Sequence, residues 1–130
     1  MTFTVKKYEP KDHALLAEWW TGWGWAVIIP SWLPDFGLIV SLNDVPIFAG
    51  FLIETNTCNA IIEWVISNPT KKEGREQAKE YLLTMLSDYA SKRGYDNVFL
   101  MTPSKHLINT AEKQGFCGTS DLKHCVKKVN

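Results

Sequence analysis

The stretch from Ile61 to Gly94 constrains the fold more than any other part of this sequence. It begins with an apolar run, turns at Asn68-Pro69, crosses a polar and basic loop, and ends in apolar residues at helical spacing. This pattern predicts a β-strand that leads through a loop into a long amphipathic helix, which Gly94 ends. The first N–H groups of such a helix have no intrahelical acceptor, so the loop is a natural seat for an anion.

The rest of the chain predicts further elements that fit one sheet layer. Apolar runs predict strands, and helical spacing after a capping residue, Asp12 or Ser104, predicts two more helices. The predicted strands are Phe3 to Tyr8, Phe36 to Leu42, Val45 to Glu54, Asn59 to Ile66, Asn97 to Thr102 and Leu122 to Val129, and the helices are His13 to Thr21 and Ser104 to Gln114. Ala49-Gly50 predicts a bulge or a close approach of another backbone. We therefore predict an α+β (α/β layer) fold with helices on both faces of the sheet.

Length and charge narrow the class of protein. A chain of 130 residues fits one domain, residues 1–130. The formal net charge is +0, which gives no electrostatic reason to expect a nucleic-acid or anionic-membrane partner. The N-terminal residues carry no signal-peptide pattern, and the longest uncharged apolar tract, Gly22 to Leu33, is too short to span a bilayer. We therefore expect a cytoplasmic protein without a nucleic-acid or membrane partner.

The cysteines indicate neither a disulfide framework nor a metal site. Cys58, Cys117 and Cys125 are odd in number and lack the spacing of zinc ligands. We expect buried or half-buried free thiols and no bound metal. No feature of the sequence indicates the lowered thiol pKa that a nucleophilic cysteine needs.

Landmarks along the chain occur in the order found in one known superfamily. They are the three-strand meander, the strand ending in Asn68-Pro69, the long helix with Leu82-Leu83, the apolar run NVFLM and the helix ending EKQGF at Glu112 to Phe116. Over nearly its whole length the chain resembles the GNAT N-acetyltransferase superfamily. The resemblance implies a mixed central sheet of six to seven strands with helices on both faces, and acetyl-CoA as the cofactor.

The resemblance implies that the pyrophosphate of acetyl-CoA lies on the loop before the long helix. GNAT proteins usually carry Arg/Gln-x-x-Gly-x-Gly/Ala there, and the missing Cβ atoms let the backbone approach the phosphates. This sequence departs from the signature in either of two alignments. Counting back from Leu82-Leu83 puts Gly74, Gln77 and Lys79 at the three places, whereas counting forward from Pro69 puts Lys72, Arg75 and Gln77 there.

Cations nevertheless remain in this loop where phosphates would lie. The predicted cofactor-binding residues of the loop are therefore Lys71, Lys72, Gly74, Arg75 and Gln77. The alternative is a basic helix start that only faces solvent.

Acetyl transfer to an amine needs a base for the amine and donors for the carbonyl oxygen. By resemblance, Glu63 on the strand before the loop is the predicted catalytic base, and the alternative is a sheet-surface carboxylate paired with a neighbouring Lys. The backbone N–H groups of Val65 and Ile66 are the predicted contacts of the carbonyl oxygen. Ser104 and Asn109 are the predicted contacts of the pantetheine arm.

Tryptophans are concentrated between the first helix and the second strand, at Trp19, Trp20, Trp23, Trp25 and Trp32. In GNAT proteins this segment lines the acceptor side, so the resemblance assigns Trp20, Trp23 and Trp25 to substrate binding, with Glu54 as a further candidate. Indole surfaces suit a planar ring or, through a cation–π contact, an ammonium. The alternative is that the indoles cover the sheet, and Trp19 is assigned to the core.

The leading interpretation is an acetyl-CoA-dependent N-acetyltransferase that acts by direct transfer on a small-molecule or protein amine. The alternative is a GNAT-fold binding or regulatory module with impaired catalysis. The loop without its glycines favours the alternative, as does Ala111, which stands where GNAT proteins often have a Tyr that protonates the departing thiolate. The identity of the amine, and whether the chain forms a homodimer, are left open.

Overall fold

The computed structural model describes residues 2–118 and 127–129, which form five strands and three helices. The strands are β1 (Phe3–Lys7), β2 (Phe36–Leu42), β3 (Val45–Ile53), β4 (Asn59–Ser67) and β5 (Asn97–Leu100). The helices are α1 (His13–Gly22), α2 (Arg75–Lys92) and α3 (Lys105–Lys113), and 3-10 turns lie at Pro10–Asp12 and Pro30–Trp32. None of these helices is long and apolar enough to cross a membrane.

The strands lie side by side in the order in which they occur in the chain. Strands β1 to β4 pair antiparallel, and β5 pairs parallel to β4. Asn43 and Asp44 join β2 to β3 with φ angles of 49° and 68°, a two-residue turn whose twist matches that of the strands. A parallel pair needs a crossover connection, and α2 provides it. The mixed α+β class is therefore confirmed.

The number of strands differs from the prediction of six to seven. The sheet has five strands in the part of the chain that the structure describes. The predicted closing strand, Leu122 to Val129, lies for the most part outside the described residues, and residues 127–129 form no strand. The seventh strand came from the family resemblance alone, since no other segment of this sequence has a strand pattern.

Each face of the sheet packs against its own helices. Side chains alternate along β2, so Leu38 and Val40 lie on one face and Ile39 on the other. The first face packs against α2 and α3 through the buried residues Ala78, Leu82, Leu83, Leu86, Leu107 and Ala111. The second face packs against α1 through Leu16, Trp19 and Trp20. Helices on both faces of the sheet are therefore confirmed.

One of the two predicted helix caps is wrong. The Asp12 carboxylate does not cap α1 but accepts hydrogen bonds from the Glu9 N–H at 2.8 Å and from the Lys6 ammonium at 3.0 Å. The reason is that the 3-10 turn at Pro10–Asp12 runs directly into α1, which leaves Asp12 in a helical conformation. Ser104 does cap α3, because its hydroxyl accepts a hydrogen bond from the Leu107 N–H at 3.3 Å.

The cysteines that the structure describes, Cys58 and Cys117, are free thiols, but both are exposed and not buried or half-buried as predicted. Cys58 lies in the turn before β4 and Cys117 follows α3, so neither belongs to a segment that packs in the core. Cys125 lies outside the described residues. Within the same ranges, no group of three or more His, Cys, Asp or Glu side chains is placed to hold a metal ion.

Candidate active site

A bulge in β4 lies at the middle of the candidate site. Gly50 alone on β3 faces both Trp64 and Val65 on β4, and Trp64 has a φ of 55°, in the left-handed region. A Cβ on Gly50 would lie 2.9 Å from the Leu82 side chain, so this glycine also lets α2 approach the sheet. The sequence predicted a bulge or a close approach of another backbone at Ala49-Gly50. The bulge is present, with its extra residue in the partner strand, and the close neighbours of Gly50 are side chains and not another backbone.

A cleft opens where β4 and β5 separate. The parallel pairing ends at Ile62 and Leu100, but β4 continues to Ser67. The space between the strands has a volume of about 770 Å³, within the usual range for small-molecule sites. Its walls include residues 62–67 of β4, residues 100–104 at and after the end of β5, His106 and Leu107 of α3, the start of α2, and the indoles of Trp23 and Trp25.

Val65 and Ile66, the predicted donors to a carbonyl oxygen, both line this cleft. A bulge leaves an extra residue outside the hydrogen-bond ladder, so backbone N–H groups become available to a ligand at such a place. The bulge also shifts the alternation of the strand, because Ile62 packs on the α2 face of the sheet and Trp64, two residues later, packs on the α1 face. The side chains of Trp64 and Val65 both pack against helices, which leaves the backbone of the segment for the cleft.

Glu63 is half-buried and lines the cleft at the point where the strands separate. One carboxylate oxygen accepts a long hydrogen bond, 3.4 Å, from the Trp64 N–H. No Lys or Arg among the described residues forms an ion pair with it. The predicted alternative, in which Glu63 pairs with a Lys on a neighbouring strand, therefore has no support among the described residues.

Arg75 closes the loop between β4 and α2. Its guanidinium donates through Nη2 to the carbonyl oxygens of Asn68 at 2.8 Å and Lys71 at 2.9 Å. The guanidinium carbon also lies 5.6 Å from the centre of the Trp23 ring, and the buried Nε has no partner. Arg75 lines the cleft, but two of its hydrogen bonds already hold the loop. Lys72 lines the cleft too, and its side chain is exposed.

The other predicted loop residues lie outside the cleft lining. Lys71 and Gln77 are exposed on the surface. Gly74 precedes α2 with a φ of 71°, and a Cβ on it would lie 2.7 Å from Leu42 Cδ2 and 3.1 Å from Phe3 Cζ. The contact of the loop with β1 and β2 therefore accounts for a glycine at position 74.

A polar network joins α2 to α3 along one wall of the cleft. Lys79 is 5% exposed, and its ammonium donates to a Glu76 carboxylate oxygen at 2.8 Å. The buried Thr110 hydroxyl lies 2.8 Å from the other oxygen of Glu76. The hydrogen bond from Lys79, with a weaker contribution from Thr110, holds the pKa of Glu76 below its ordinary value, although partial burial opposes this.

Replacing Glu76 with Gln is expected to lower the free energy of unfolding by about 1–2 kcal/mol at pH 7, because the buried Lys79 ammonium loses its anionic partner. A carboxyl group whose pKa is lowered by folding stabilises the protein above its unfolded-state pKa, and this stability is lost as the pH falls through the folded-state value. The ordinary value is 4.5, so the difference in stability between the variant and the parent should shrink as the pH falls below about 4.5.

Urea unfolding of both proteins at pH 7 and pH 3.5 measures this difference. Glu73→Gln is the control, because Glu73 is an exposed carboxylate in the loop just before α2. A difference between Glu76→Gln and the parent that stays the same at both pH values would contradict the network.

Comparison with known proteins identifies the architecture. No family model matches the chain, and no curated protein matches it. Solved structures do match: an acetyltransferase from Trypanosoma brucei superposes with a TM-score of 0.70 over 97% of this chain and 100% of the other, at 15% identity. The chain has the GNAT fold.

Other GNAT-fold structures match comparably. The ribosomal-protein-S18-alanine N-acetyltransferase of Escherichia coli has a TM-score of 0.69 and 17% identity, over 92% of this chain and 80% of that one. A putative acetyltransferase from Salmonella typhimurium, solved with its cofactor acetyl-CoA, has a TM-score of 0.68 and 15% identity, over 92% and 82%. These identities are too low to carry more than the fold.

The tryptophans of the GNAT-fold chain divide into two groups. Trp19 and Trp20 are buried at 2% and 3% exposure in the core beneath α1, so Trp20 has no surface to offer a substrate, contrary to its assignment. Trp23 and Trp25 line the cleft. Glu54 lies beyond the end of β3, outside the cleft lining, and pairs with Arg93 at 2.7 Å.

On α3, the structure separates the two residues assigned to a pantetheine arm. Ser104 lines the cleft, but its hydroxyl caps the helix. Asn109 is exposed outside the cleft lining. Ala111 is buried in the core and gives the cleft no hydroxyl. His106 does line the cleft, and its carbonyl oxygen lies 3.4 Å from the Lys79 ammonium.

Sequence reasoning missed the Glu76–Lys79–Thr110 network. The spacing of Glu76 and Lys79 allows an ion pair on one helix face, which was a usable signal. It did not indicate that this face packs against α3, because Lys at such a position is usually exposed.

Proposed function

We propose that this protein transfers an acetyl group from acetyl-CoA to an amine by direct attack. The observation that carries the proposal is the cleft between β4 and β5. Its lining contains a bulge, the Glu63 carboxylate, which has no ion-pair partner among the described residues, and two cations near the start of α2, Lys72 and Arg75. These are the three kinds of group that the reaction requires: donors for a carbonyl oxygen, a base and a seat for phosphates.

The end of the cleft next to the start of α2 is suited to bind a phosphate-bearing group. Lys72 faces the cleft without an ion-pair partner among the described residues. The first N–H groups of α2 that remain without intrahelical acceptors are those of Glu76 and Gln77, since the Arg75 N–H donates to Lys72 and the Ala78 N–H to Gly74. Of these two residues, Glu76 lines the cleft and Gln77 lies outside its lining, so Lys72 and the Glu76 N–H are the donors that support an anion seat.

The residues of the chain then have distinct tasks. Acetyl-CoA, when bound, supplies the activated thioester carbonyl. Glu63 accepts the proton that the attacking amine releases, directly or through water. The N–H groups of Val65 and Ile66 donate to the carbonyl oxygen, whose negative charge grows during attack. Ala111 offers no acid, so the departing thiolate takes its proton from water or from another side chain.

A GNAT-fold binding module without turnover is the second candidate. Two observations favour it: Arg75 already uses its guanidinium to hold the loop, and Ala111 provides no general acid. Binding of acetyl-CoA together with no transfer to any member of a broad amine panel would favour this candidate over the enzyme.

Calorimetric titration with acetyl-CoA tests the proposed function and the role of Lys72 in binding the phosphates. The parent protein is expected to bind, and Lys72→Ala should weaken the affinity about five- to tenfold through loss of a charge-assisted contact. Lys71→Ala is the matched control, because Lys71 belongs to the same loop but lies outside the cleft lining. No binding at millimolar acetyl-CoA would contradict the proposed function, and equal effects of the two variants would remove Lys72 from it.

A further inference from the structure

Trp23 is fixed in place at the end of β4. Its indole N–H donates to the carbonyl oxygen of Ser67 at 2.8 Å, and its backbone N–H donates to the carbonyl oxygen of Trp19 at 3.0 Å. Gly22 lets the end of α1 dock on the loop, since a Cβ there would lie 2.6 Å from Pro69 Cγ. The ring therefore has a defined position before any ligand arrives.

Trp25 stacks on this fixed ring. The two ring centres are 5.8 Å apart and the planes differ by 21°. Gly24, with a φ of 75°, makes the turn between them. The backbone N–H of Trp25 donates to the carbonyl oxygen of Trp20 at 2.8 Å. Trp25 is nevertheless 54% exposed. A preformed indole surface that remains open at the mouth of a cleft is suited to bind a flat apolar group.

The charges around the indole pair are positive. The Arg75 guanidinium lies over Trp23, and Lys72 lines the same cleft, whereas Lys79 is neutralised there by its ion pair with Glu76. Glu63 lies four residues before Ser67, roughly 10–13 Å away along β4. Positive neighbours disfavour a cationic amine on this surface. They favour a flat group that carries negative charges, which is the chemistry of a nucleotide.

We propose that Trp25, supported by Trp23, is the platform on which the purine base of a nucleotide stacks, while Lys72 faces its phosphates. The inference rests on the proposed function, in which the base is the adenine of acetyl-CoA. The indole pair then belongs to the donor side of the cleft and not to the acceptor side, to which the sequence analysis assigned it. The acceptor amine enters nearer to Glu63.

Three probes separate the parts of the donor: acetyl-CoA, adenosine 3′,5′-bisphosphate, and acetyl-pantetheine, which has no nucleotide. We expect Trp25→Ala to weaken calorimetric binding of the first two by roughly 5- to 100-fold, the range for base–aromatic stacking. Binding of acetyl-pantetheine should not change. Trp25→Phe should recover most of the affinity because a ring remains. Trp32→Ala is the control, since Trp32 is 62% exposed in the same segment but lies outside the cleft lining.

The outcomes distinguish the platform from the proposed function. Unchanged affinity of Trp25→Ala for acetyl-CoA, with a raised KM for the amine, overturns the platform and leaves the function standing. Equal affinity of the parent protein for acetyl-CoA and acetyl-pantetheine would also overturn the platform and leave the function standing. Trp25-dependent binding of the bisphosphate without binding of acetyl-CoA supports the platform and overturns the function. No binding of any probe overturns both.

Discussion

Replacing Glu63 with Gln is expected to lower kcat for acetyl transfer by about 10²- to 10⁴-fold, the usual contribution of a general base. Gln keeps the shape of the side chain and its long contact with the Trp64 N–H but cannot accept the proton. The loss should be largest near neutral pH, where an alkylamine is protonated. It should shrink above about pH 10, where the amine is free without help.

Initial rates with an accepted amine between pH 6 and pH 10.5 measure this effect. Glu54→Gln is the comparison variant, because Glu54 pairs with Arg93 outside the cleft lining and should retain kcat within about twofold. A Glu63→Gln protein with parental kcat at neutral pH would exclude Glu63 as the base. Equal losses in both variants would point to a general electrostatic effect and not to proton transfer.

Replacing Gly74 with Ala is expected to lower the free energy of unfolding by about 2–5 kcal/mol. The left-handed backbone at φ 71° costs a residue with a Cβ about 1–2 kcal/mol. The Cβ would also meet the Leu42 side chain at 2.7 Å, and overpacking of this kind costs about 1–3 kcal/mol. Urea unfolding measures the sum.

Gly24→Ala is the matched control for this prediction. Gly24 has a similar φ of 75°, but a Cβ there would have nothing within 4 Å. It should therefore lose only the backbone part, about 1–2 kcal/mol. Equal losses at the two positions would mean that the packing of Gly74 against β1 and β2 does not matter. An unchanged stability of Gly74→Ala with weakened acetyl-CoA binding would restore the phosphate assignment of Gly74.

Local patterns were sufficient to predict the elements and their order. The bounds of β2 match the prediction, and the other strands and helices of the described part differ at their ends by one or two residues. The Asn68-Pro69 turn and Gly94 predicted where β4 ends and where α2 ends, because both act through the backbone of their immediate neighbours.

The roles of residues whose contacts are distant in the sequence were harder to predict. Gly74 was assigned to a phosphate because counting back from Leu82-Leu83 places it in the GNAT loop signature, whereas its neighbours Phe3 and Leu42 are far away in the sequence. Arg75 looked like a free cation, since its acceptors are backbone carbonyl oxygens that no pattern reveals. Trp20 and Trp23 are three residues apart, and only the end of α1 at Gly22 separates a core indole from a cleft indole.

The hydrogen bonds from Arg75 to Asn68 and Lys71 have a consequence for how a ligand binds. They order the loop between β4 and α2 during folding, so little conformational entropy remains to be lost on association. A preorganised loop of this kind favours rapid encounter without a slow closing step. The association rate should therefore fall as the ionic strength rises, because salt screens the attraction between Lys72 and an anionic ligand. A slow conformational step should not limit it.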